Sequence, residues 1–336
     1  MIAGVRLRAW ACFERRILLC ALGAVFAWQG TDMALISLEA EFGSRWPQLS
    51  AALGKPKRYG AWVNPFAAKG AADVLKAHGF DRLPGLAGEA HLWAPCQSEE
   101  PLLPKPATCP VTGLKTYYPL DLASAMPVLA LLHASSRPRA VLDACAAPGG
   151  KFLVMAGVLG MRGTDLVAVE RDGFRMSRLK QNLRLYLPLA ASRKITLLRA
   201  DSTRVMRQLQ EGPFDAVLVD APCSSERERL LRSLRRGHTE IWKAAKSQEN
   251  AKRQVGLLSC ALESILPGGI VVYATCALSH IENDSVVQAA LAKDKRHCLL
   301  PHCELPLESE QTRYGQRILP DLGGWGPLYW SALSRE

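Results

Sequence analysis

The sequence has 336 residues, of which 49% are hydrophobic and 22% are charged. This length allows one large domain with a smaller attachment, and the hydrophobic content excludes a wholly disordered chain. The formal net charge of +11 is typical of proteins that bind RNA, DNA or an acidic membrane surface, although a basic protein with none of these partners has the same charge.

The N-terminal 30 residues contain four arginines and one acidic residue among apolar side chains. This pattern predicts a mitochondrial presequence over residues 1–30, with an ordinary first helix or a secretory signal as alternatives. The apolar run from Ile17 to Trp28 is short for a bilayer span, and no later segment is apolar for long enough to be a transmembrane helix. We therefore predict a mitochondrial protein that has no membrane partner.

The next segment is predicted to form a small helical extension followed by a linker. Residues 31–80 are predicted to be helical, and residues 81–119 are rich in proline and glycine, which is typical of loops. Residues 31–119 are thus treated as one N-terminal region and residues 120–336 as the main domain. The predicted buried anchors of the helical part are Trp46, Leu49, Leu53, Trp62 and Phe66.

After Asp121 the pattern changes to helices that alternate with short apolar strands. The predicted strands are 140–144, 166–169, 195–198, 214–219 and 270–273, and the predicted helices are 122–133, 151–159, 176–186 and 249–266. This alternation predicts parallel βαβ units and an α/β, doubly wound, Rossmann-like sheet. In such sheets ligands bind beyond the carboxyl ends of the strands, so we expect the ligand-binding and reactive side chains just after each strand.

The first strand is followed by a glycine-rich turn. Its residues are Cys145, Ala146, Ala147, Pro148, Gly149, Gly150 and Lys151. Small residues let the backbone approach a ligand closely, and the next helix offers free N–H groups at its N-terminus. The turn matches neither the dinucleotide pattern GxGxxG nor the triphosphate pattern GxxxxGK[ST]. We predict a ligand-binding turn, with a plain tight turn as the alternative.

Two acidic residues follow the next two strands. Glu170 ends the second strand, where an acid can bind both ribose hydroxyls of an adenosine. Asp201 follows the third strand and could lie beside the adenine, although a solvated surface acid is the alternative for both. The pattern therefore predicts an adenosine ligand that has no pyrophosphate.

Two cysteines follow the fourth and fifth strands, in Asp220-Ala221-Pro222-Cys223 and Tyr273-Ala274-Thr275-Cys276. A thiolate is a good nucleophile near neutral pH, and two thiols at one cleft beside an aspartate indicate covalent chemistry rather than structural thiols. The ten cysteines form no CxxC pair, so we predict reduced thiols and no metal site. The tetrapeptide DAPC also differs from the [DNS]PP[YFW] motif, with its aromatic residue, of enzymes that act on exocyclic or glutamine amide nitrogens.

A basic segment follows the first of these cysteines. Between Ser225 and Arg253 there are nine Lys or Arg residues and four Glu residues. We predict a phosphate-binding face for RNA, with a solvated helix face as the alternative. The candidate RNA-binding residues are Arg227, Arg229, Arg232, Arg235 and Arg236.

The motifs DACAAPGGK, VDAPCS and YATCALSHIEND resemble those of the Nop/Sun family of RNA cytosine-5 methyltransferases, which have a class I methyltransferase fold. The runs FGSRWPQLSAALGKPKRYGAWVNPF, TYYPLDLASAMPVLALL and GWGPLYW extend this likeness to residues 31–335, most closely to the branch that acts on mitochondrial ribosomal RNA. The resemblance implies that Cys276 is the nucleophile, that Cys223 assists product release and that Asp220 supports catalysis. It also implies that S-adenosylmethionine contacts the glycine-rich turn, Glu170, Arg175, Asp201 and Asp220.

Two departures from the family pattern affect the expected RNA target more than the chemistry. Position 170 is Glu where Asp is common, and Ser-Ser-Glu-Arg-Glu-Arg-Leu follows Cys223 instead of an SGxGxxRR-type loop.

The mitochondrial branch also implies partners. They are mitochondrial ribosomal RNA, a helical-repeat protein of the mitochondrial terminator-factor family and an assembly intermediate of the large ribosomal subunit in the matrix. The alternatives are a non-catalytic mitochondrial ribosome assembly factor that keeps the fold, and a cytosine-5 methyltransferase for mitochondrial tRNA. A DNA-type cytosine-5 enzyme would instead use Cys223 as its nucleophile and would not require Cys276.

Overall fold

A computed structural model describes residues 38–96, 102–135, 137–208, 214–235 and 244–336. The predicted presequence, residues 1–30, lies outside the described residues. Within them, no helix is long and apolar enough to cross a membrane.

The described residues form helices and strands that alternate through most of the chain. The helices are α1 (Leu38–Phe42), α2 (Trp46–Gly54), α3 (Ala71–Ala77), α4 (Gly85–Glu89), α5 (Met126–Ala134), α6 (Gly150–Leu159), α7 (Gly173–Tyr186), α8 (Leu189–Ser192), α9 (Ser202–Gln208), α10 (Glu226–Arg235), α11 (Ala244–Glu263) and α12 (Asp284–Lys293). The strands are β1 (Gly60–Val63), β2 (Phe80–Arg82), β3 (Leu92–Pro95), β4 (Tyr117–Leu120), β5 (Ala140–Asp143), β6 (Asp165–Val169), β7 (Ile195–Leu198), β8 (Phe214–Asp220), β9 (Ile265–Thr275), β10 (His297–Leu299), β11 (Glu310–Gln311), β12 (Gln316–Ile318) and β13 (Leu328–Arg335). Short 3-10 helices cover Gly43–Arg45, Leu122–Ala125, Gly160–Arg162, His280–Glu282 and Pro320–Leu322.

The main sheet has the order β11-β12-β13-β9-β8-β5-β6-β7, with β10 paired to β13. The five strands from β7 to β9 along this order are parallel, and β13 adds antiparallel to β9. The central strands are apolar because helices cover both of their faces. Residues of α5, α6 and α7 form the core on one face, and residues of α9, α11 and α12 form it on the other. The predicted doubly wound, Rossmann-like fold is confirmed.

The N-terminal region differs from the prediction, because it contains a sheet. Strands β1 to β4 form a four-stranded antiparallel sheet with the order β2-β3-β1-β4. The interpretation of residues 31–119 as helices plus a linker was therefore wrong over β1 to β4. Strands of three or four residues are too short for their alternation of apolar and polar side chains to stand out from the surrounding loops.

Trp62 connects this sheet to the main domain. Its side chain is fully buried and packs against α6, where a Cβ at Gly157 would lie 2.6 Å from its ring. Leu49 and Leu53 are also buried as predicted, whereas Trp46 and Phe66 are only partly buried. Because β4 runs directly into the main domain, the domain boundary at residue 120 stays a prediction.

Candidate active site

The glycine-rich turn joins β5 to α6 and encloses a cavity of about 170 Å³. Gly149 has a φ of +113°, and a Cβ there would lie 2.9 Å from Leu179 Cδ1, so a larger residue would be strained. The turn therefore requires glycine at the N-terminus of α6, where backbone N–H groups are free to bind a ligand. The lining residues are Tyr118, Pro119, Leu120, Ser124, Asp143, Cys145, Ala146, Ala147, Pro148, Gly149, Gly150, Lys151 and Asp220.

Three charged side chains meet at the floor of this cavity. Lys151 Nζ lies 2.9 Å from Asp220 Oδ2, and Asp143 is 1% exposed at the end of β5. Burial and the nearby Asp220 raise the pKa of Asp143 to about 7, whereas Asp220 raises the pKa of Lys151 against the effect of burial. The lysine therefore carries the positive charge that offsets two carboxyl groups.

Tyr118 lines the cavity from the N-terminal sheet, a contact that the sequence did not predict. A Cβ at Gly150 would lie 3.3 Å from its Cε1 atom, and its ring packs edge-on against Tyr186 with centroids 5.3 Å apart. Tyr118 lies in β4, a strand that the analysis had assigned to a linker. The available signal was its place in the TYYPLD run immediately before the main domain.

Glu170 lies at the end of β6, next to the turn in the order of the sheet. It is 5% exposed, and its Oε1 atom accepts a hydrogen bond from Asp172 N at 2.8 Å. Arg175 lies 3.5 Å from its Oε2 atom and also donates to the carbonyl oxygen of Ala147, so it connects the acid to the turn. Glu170 Oε2 accepts no hydrogen bond from the described residues, which leaves a buried oxygen suited to a ligand hydroxyl.

Asp201 lies farther along the same edge, after β7. Its Oδ1 atom accepts a hydrogen bond from Thr203 N at 3.0 Å, and hydrogen bonds from Thr203 lower its pKa. Neither Glu170, Arg175 nor Asp201 lines the cavity of the glycine-rich turn. Because β5, β6 and β7 are neighbours, the turn and the two acids instead form one line along the carboxyl ends of the strands.

The two predicted catalytic cysteines meet beyond β8 and β9. Cys223 Sγ lies 3.1 Å from Cys276 Sγ, and both are half-buried free thiols. Hydrogen bonds from Cys223 and Ser225 lower the pKa of Cys276 against the effect of burial, whereas the bond to Cys276 and burial raise the pKa of Cys223. Ser225 Oγ lies 3.2 Å from Cys276 Sγ and 3.5 Å from Cys223 Sγ, so the geometry also favours Cys276 as the sulfur that accepts hydrogen bonds. Burial raises the pKa of Cys145, the third thiol nearby.

Two buried carboxyl groups hold the cysteine loops together. Glu282 Oε2, downstream of Cys276, accepts hydrogen bonds from Ser224 N at 3.0 Å and Gln254 Nε2 at 2.9 Å. Glu226 Oε2, downstream of Cys223, accepts a hydrogen bond from Leu278 N at 3.2 Å, and burial raises its pKa to about 7. Each loop is thus fixed by an acid from the other, a role that the sequence analysis missed.

The basic segment does not form one surface. Arg227 is 2% exposed, and its guanidinium group donates to the carbonyl oxygens of Gly324, Gly326, Lys55 and Pro56. Its assignment to RNA binding is corrected, because a buried guanidinium group held by four backbone carbonyls is not placed to contact a phosphate.

The other arginines of this segment differ in exposure. Arg229 is half-buried, Arg232 and Arg235 are exposed on α10, and Arg236 lies outside the described residues. In the part of the chain that the structure describes, no group of three or more His, Cys, Asp or Glu residues could hold a metal ion.

The fold and the site together define a class of protein. The sheet is doubly wound, with a glycine-rich turn after the first parallel strand, an acid after the next strand and two thiols beyond the adjacent strands. This combination is typical of an S-adenosylmethionine-dependent methyltransferase. Residues 130–334 match the family model described as "16S rRNA methyltransferase RsmB/F". The chain belongs to this family of RNA cytosine-5 methyltransferases, which confirms the resemblance of its motifs and the predicted enzyme class.

Individual relatives support the same family. The chain is 29% identical over 384 residues to the mouse "5-cytosine rRNA methyltransferase NSUN4", covering 98% of this chain and 92% of the mouse protein. It is 37% identical over 240 residues to the zebrafish "tRNA (cytosine(34)-C(5))-methyltransferase, mitochondrial", covering 66% of this chain and 61% of the zebrafish protein.

Two solved structures from Pyrococcus horikoshii share the fold. One is a methyltransferase homologue with a TM-score of 0.65 and 23% identity, covering 88% of this chain and 92% of that one. The other is "NSun6 from Pyrococcus horikoshii with SFG", with a TM-score of 0.64 and 17% identity, covering 89% of this chain and 96% of that one.

Proposed function

We propose that this protein methylates carbon 5 of a cytosine in mitochondrial ribosomal RNA through a covalent bond between Cys276 and carbon 6 of the base. The observation that carries the proposal is the 3.1 Å approach of the Cys276 and Cys223 sulfur atoms beyond the parallel strands. A structural thiol pair would not need Lys151 and Asp220 beside it, whereas a nucleophile does.

The reaction follows from the chemistry of the base. The Cys276 thiolate adds to carbon 6, and the electron pair of the C5–C6 double bond makes carbon 5 nucleophilic enough to take a methyl group. Asp220 holds the proton at N3 that stabilises this adduct. A base then removes the carbon-5 proton, the double bond re-forms, and the electron pair of the C6–S bond returns to Cys276. We assign Cys223 to this release step. The target base must leave its stack to reach these groups.

The residues along the strand ends fit S-adenosylmethionine. When bound, it supplies a methyl group on a positively charged sulfur. The cavity beside the glycine-rich turn suits the amino-acid end, because it offers helix N–H groups, Lys151 and Asp220. The Oε2 atom of Glu170 accepts no hydrogen bond from the described residues and suits a ribose hydroxyl, and Asp201 lies beyond it, after β7, for the adenine side.

The target and location rest on the relatives and on the N-terminal sequence. The mouse relative that spans 98% of this chain is named for ribosomal RNA, and the zebrafish relative is named as mitochondrial. Together with the arginine-rich residues 1–30, these names support the mitochondrial matrix. A second role in assembly of the large ribosomal subunit, with a helical-repeat partner of the mitochondrial terminator-factor family, remains part of the proposal.

Bisulfite sequencing of mitochondrial RNA from cells with and without this protein tests the target. We expect at least one 5-methylcytosine in ribosomal RNA to disappear with the protein, to return with the wild-type chain and to stay absent with Cys276→Ala. If the Cys276→Ala chain restores large-subunit levels on a density gradient but not the modification, assembly is a separate role.

Mitochondrial tRNA is the second candidate substrate, because the zebrafish relative has 37% identity and is named for a tRNA cytosine. Loss of 5-methylcytosine from tRNA with unchanged ribosomal RNA would favour this candidate. Unchanged modification of both RNAs, together with missing large subunits, would favour a non-catalytic assembly factor.

The exposed arginines of α10 are the proposed phosphate contacts. Changing Arg232 and Arg235 to Gln should weaken RNA binding and reduce the slope of log K against log salt by up to about one unit per lost contact. Arg139→Gln is the matched control, because Arg139 is exposed before β5, at the opposite edge of the sheet. If the wild type, the variant with Arg232 and Arg235 changed to Gln, and Arg139→Gln all have the same salt slope, α10 is a solvated face.

A further inference from the structure

Ser225 lies within hydrogen-bonding distance of both catalytic sulfur atoms. Its Oγ atom is 3.2 Å from Cys276 Sγ and 3.5 Å from Cys223 Sγ, so the three groups form a triangle. Ser225 stands two residues after Cys223, at the start of α10, and its carbonyl oxygen accepts the hydrogen bond from Arg229 N. The helix therefore fixes the backbone from which the hydroxyl reaches the sulfurs.

The backbone of Ser225 is in an unfavourable conformation. Its φ of +51° lies in the left-handed region, and His91 is the other non-glycine residue with a positive φ among those that the structure describes. Glycine would adopt this conformation without steric cost. Strained residues of this kind persist where the surrounding structure holds them, and they cluster at functional sites.

We propose that the Ser225 hydroxyl is a third catalytic group, which donates a hydrogen bond to the Cys276 sulfur and stabilises it as the attacking and as the leaving thiolate. This inference rests on the proposed covalent function of Cys276. Ser225 forms no covalent bond and keeps its proton throughout, so its role is to stabilise negative charge on sulfur before carbon 6 is attacked and after it is released.

The chemistry of the neighbours explains why a hydroxyl is needed. A thiol is a weak hydrogen-bond donor, so Cys223 alone supports a thiolate poorly, whereas a hydroxyl is a stronger donor. Hydrogen bonds from both groups lower the pKa of Cys276. The other ionisable groups that act on this sulfur are Lys151, Asp220 and Glu226, and none of them changes in the variants below.

The first experiment measures the thiolate in the protein without RNA. The rate at which iodoacetamide modifies Cys276 is followed against pH by peptide mass spectrometry in Ser225→Ala, Ser225→Gly and Ser225→Thr. We expect the Ala and Gly proteins to react about ten-fold more slowly near pH 7, with their profiles displaced upward by about one pH unit, and to match the wild type at high pH. Ser225→Thr keeps the hydroxyl and should keep the profile.

The Gly variant guards against loss of folding, because glycine accepts the left-handed backbone that alanine does not. Ser224→Ala is the matched control, since it removes a neighbouring hydroxyl of the same loop. The backbone N–H of Ser224 is bound to Glu282 and does not change in this variant. Profiles unchanged in both the Ala and Gly proteins would overturn the proposal. A profile displaced equally in a Thr protein that unfolds at the wild-type temperature would overturn it as well, because the hydroxyl would not be the cause.

The second experiment separates this inference from the covalent function itself. In a Cys223→Ala background, the rate at which RNA becomes covalently attached is compared with and without Ser225→Ala. A slower rate at neutral pH that recovers at higher pH supports Ser225, and an equal rate overturns its role while leaving the covalent mechanism standing. Absence of any attached RNA in the Cys223→Ala protein would count against the covalent function, and the alkylation profiles would still decide whether Ser225 supports the Cys276 thiolate.

Discussion

Alanine at Cys276 and alanine at Cys223 should disable the enzyme in opposite ways. Without Cys276 no bond to carbon 6 can form, so Cys276→Ala should lose methyl transfer by at least about 1,000-fold and show no covalent complex with RNA. Without Cys223 the methylated adduct forms but is released slowly, so Cys223→Ala should retain RNA as a band on denaturing gel electrophoresis. The 3.1 Å between the two sulfur atoms is the reason for expecting both effects at one site.

The double variant should lose the band, and Cys260→Ala provides a control, since Cys260 is a buried thiol of α11. Two structural thiols would lower only the free energy of unfolding, with no trapped species in either variant. If Cys276→Ala were the protein that retains RNA, the roles would be reversed, as in DNA-type enzymes. Full activity in both variants without a band would rule out the covalent mechanism.

Replacing Lys151 by Met should have the second largest effect. Lys151 is 12% exposed and lies 2.9 Å from Asp220, so its removal leaves Asp220 and the buried Asp143 without their cation. Asp220 is 31% exposed, so loss of its partner should lower the free energy of unfolding by about 1–3 kcal/mol, between the values for exposed and for buried pairs. Methyl transfer should fall by at least about 100-fold, because the cofactor cavity and the Cys276 thiolate both lose the positive charge. Single-turnover transfer from radiolabelled S-adenosylmethionine and thermal unfolding measure the two effects.

Lys194→Met is the matched control for that change. Lys194 forms a Lys–Asp pair with Asp165, at 3.4 Å, but their side chains are 51% and 69% exposed. Such exposed pairs stabilise by less than about 1 kcal/mol, so stability and methyl transfer should both stay close to wild type. Equal losses in the two variants, or a Lys151→Met protein with normal transfer, would exclude a special role for the buried pair.

The main domain was largely predictable from the sequence, because each parallel strand is a short apolar run followed by an acidic or cysteine side chain. Ile195–Leu198 was predicted to the residue, and Cys223 and Cys276 were expected at one cleft. The end of α11 was misjudged, since the helix predicted over 249–266 ends at Glu263 and β9, predicted from residue 270, already begins at Ile265 and includes Pro267, Gly268 and Gly269. Proline and glycine at these positions are compatible both with a break between two elements and with an irregular strand. Only the pairing with β8 distinguishes the two.

The contacts that were missed depend on tertiary structure. Arg227 carries a charge that the sequence places on a basic helix, but the loop around Gly324 and Gly326 closes over it. Tyr118 reaches the cofactor cavity only because the antiparallel sheet folds onto α6. Glu226 and Glu282 look like solvated acids until the two cysteine loops meet. Linear patterns report periodicity, local turns and the ends of strands, but they do not specify which side-chain contacts form once the loops meet in space.

The pairing of β13 with β9 changes how genetic variants late in the reading frame should be judged. The segment Leu328–Arg335 lies between β12 and β9, and Tyr329 pairs with Thr275, the residue before the predicted nucleophile. A stop codon or frameshift between Asp284 and Leu328 would leave every predicted catalytic residue encoded. It would nevertheless remove an inner strand, expose the backbone of β9 and withdraw support from the Cys276 loop. Such truncating alleles should therefore be classed with loss of function rather than with harmless loss of a tail.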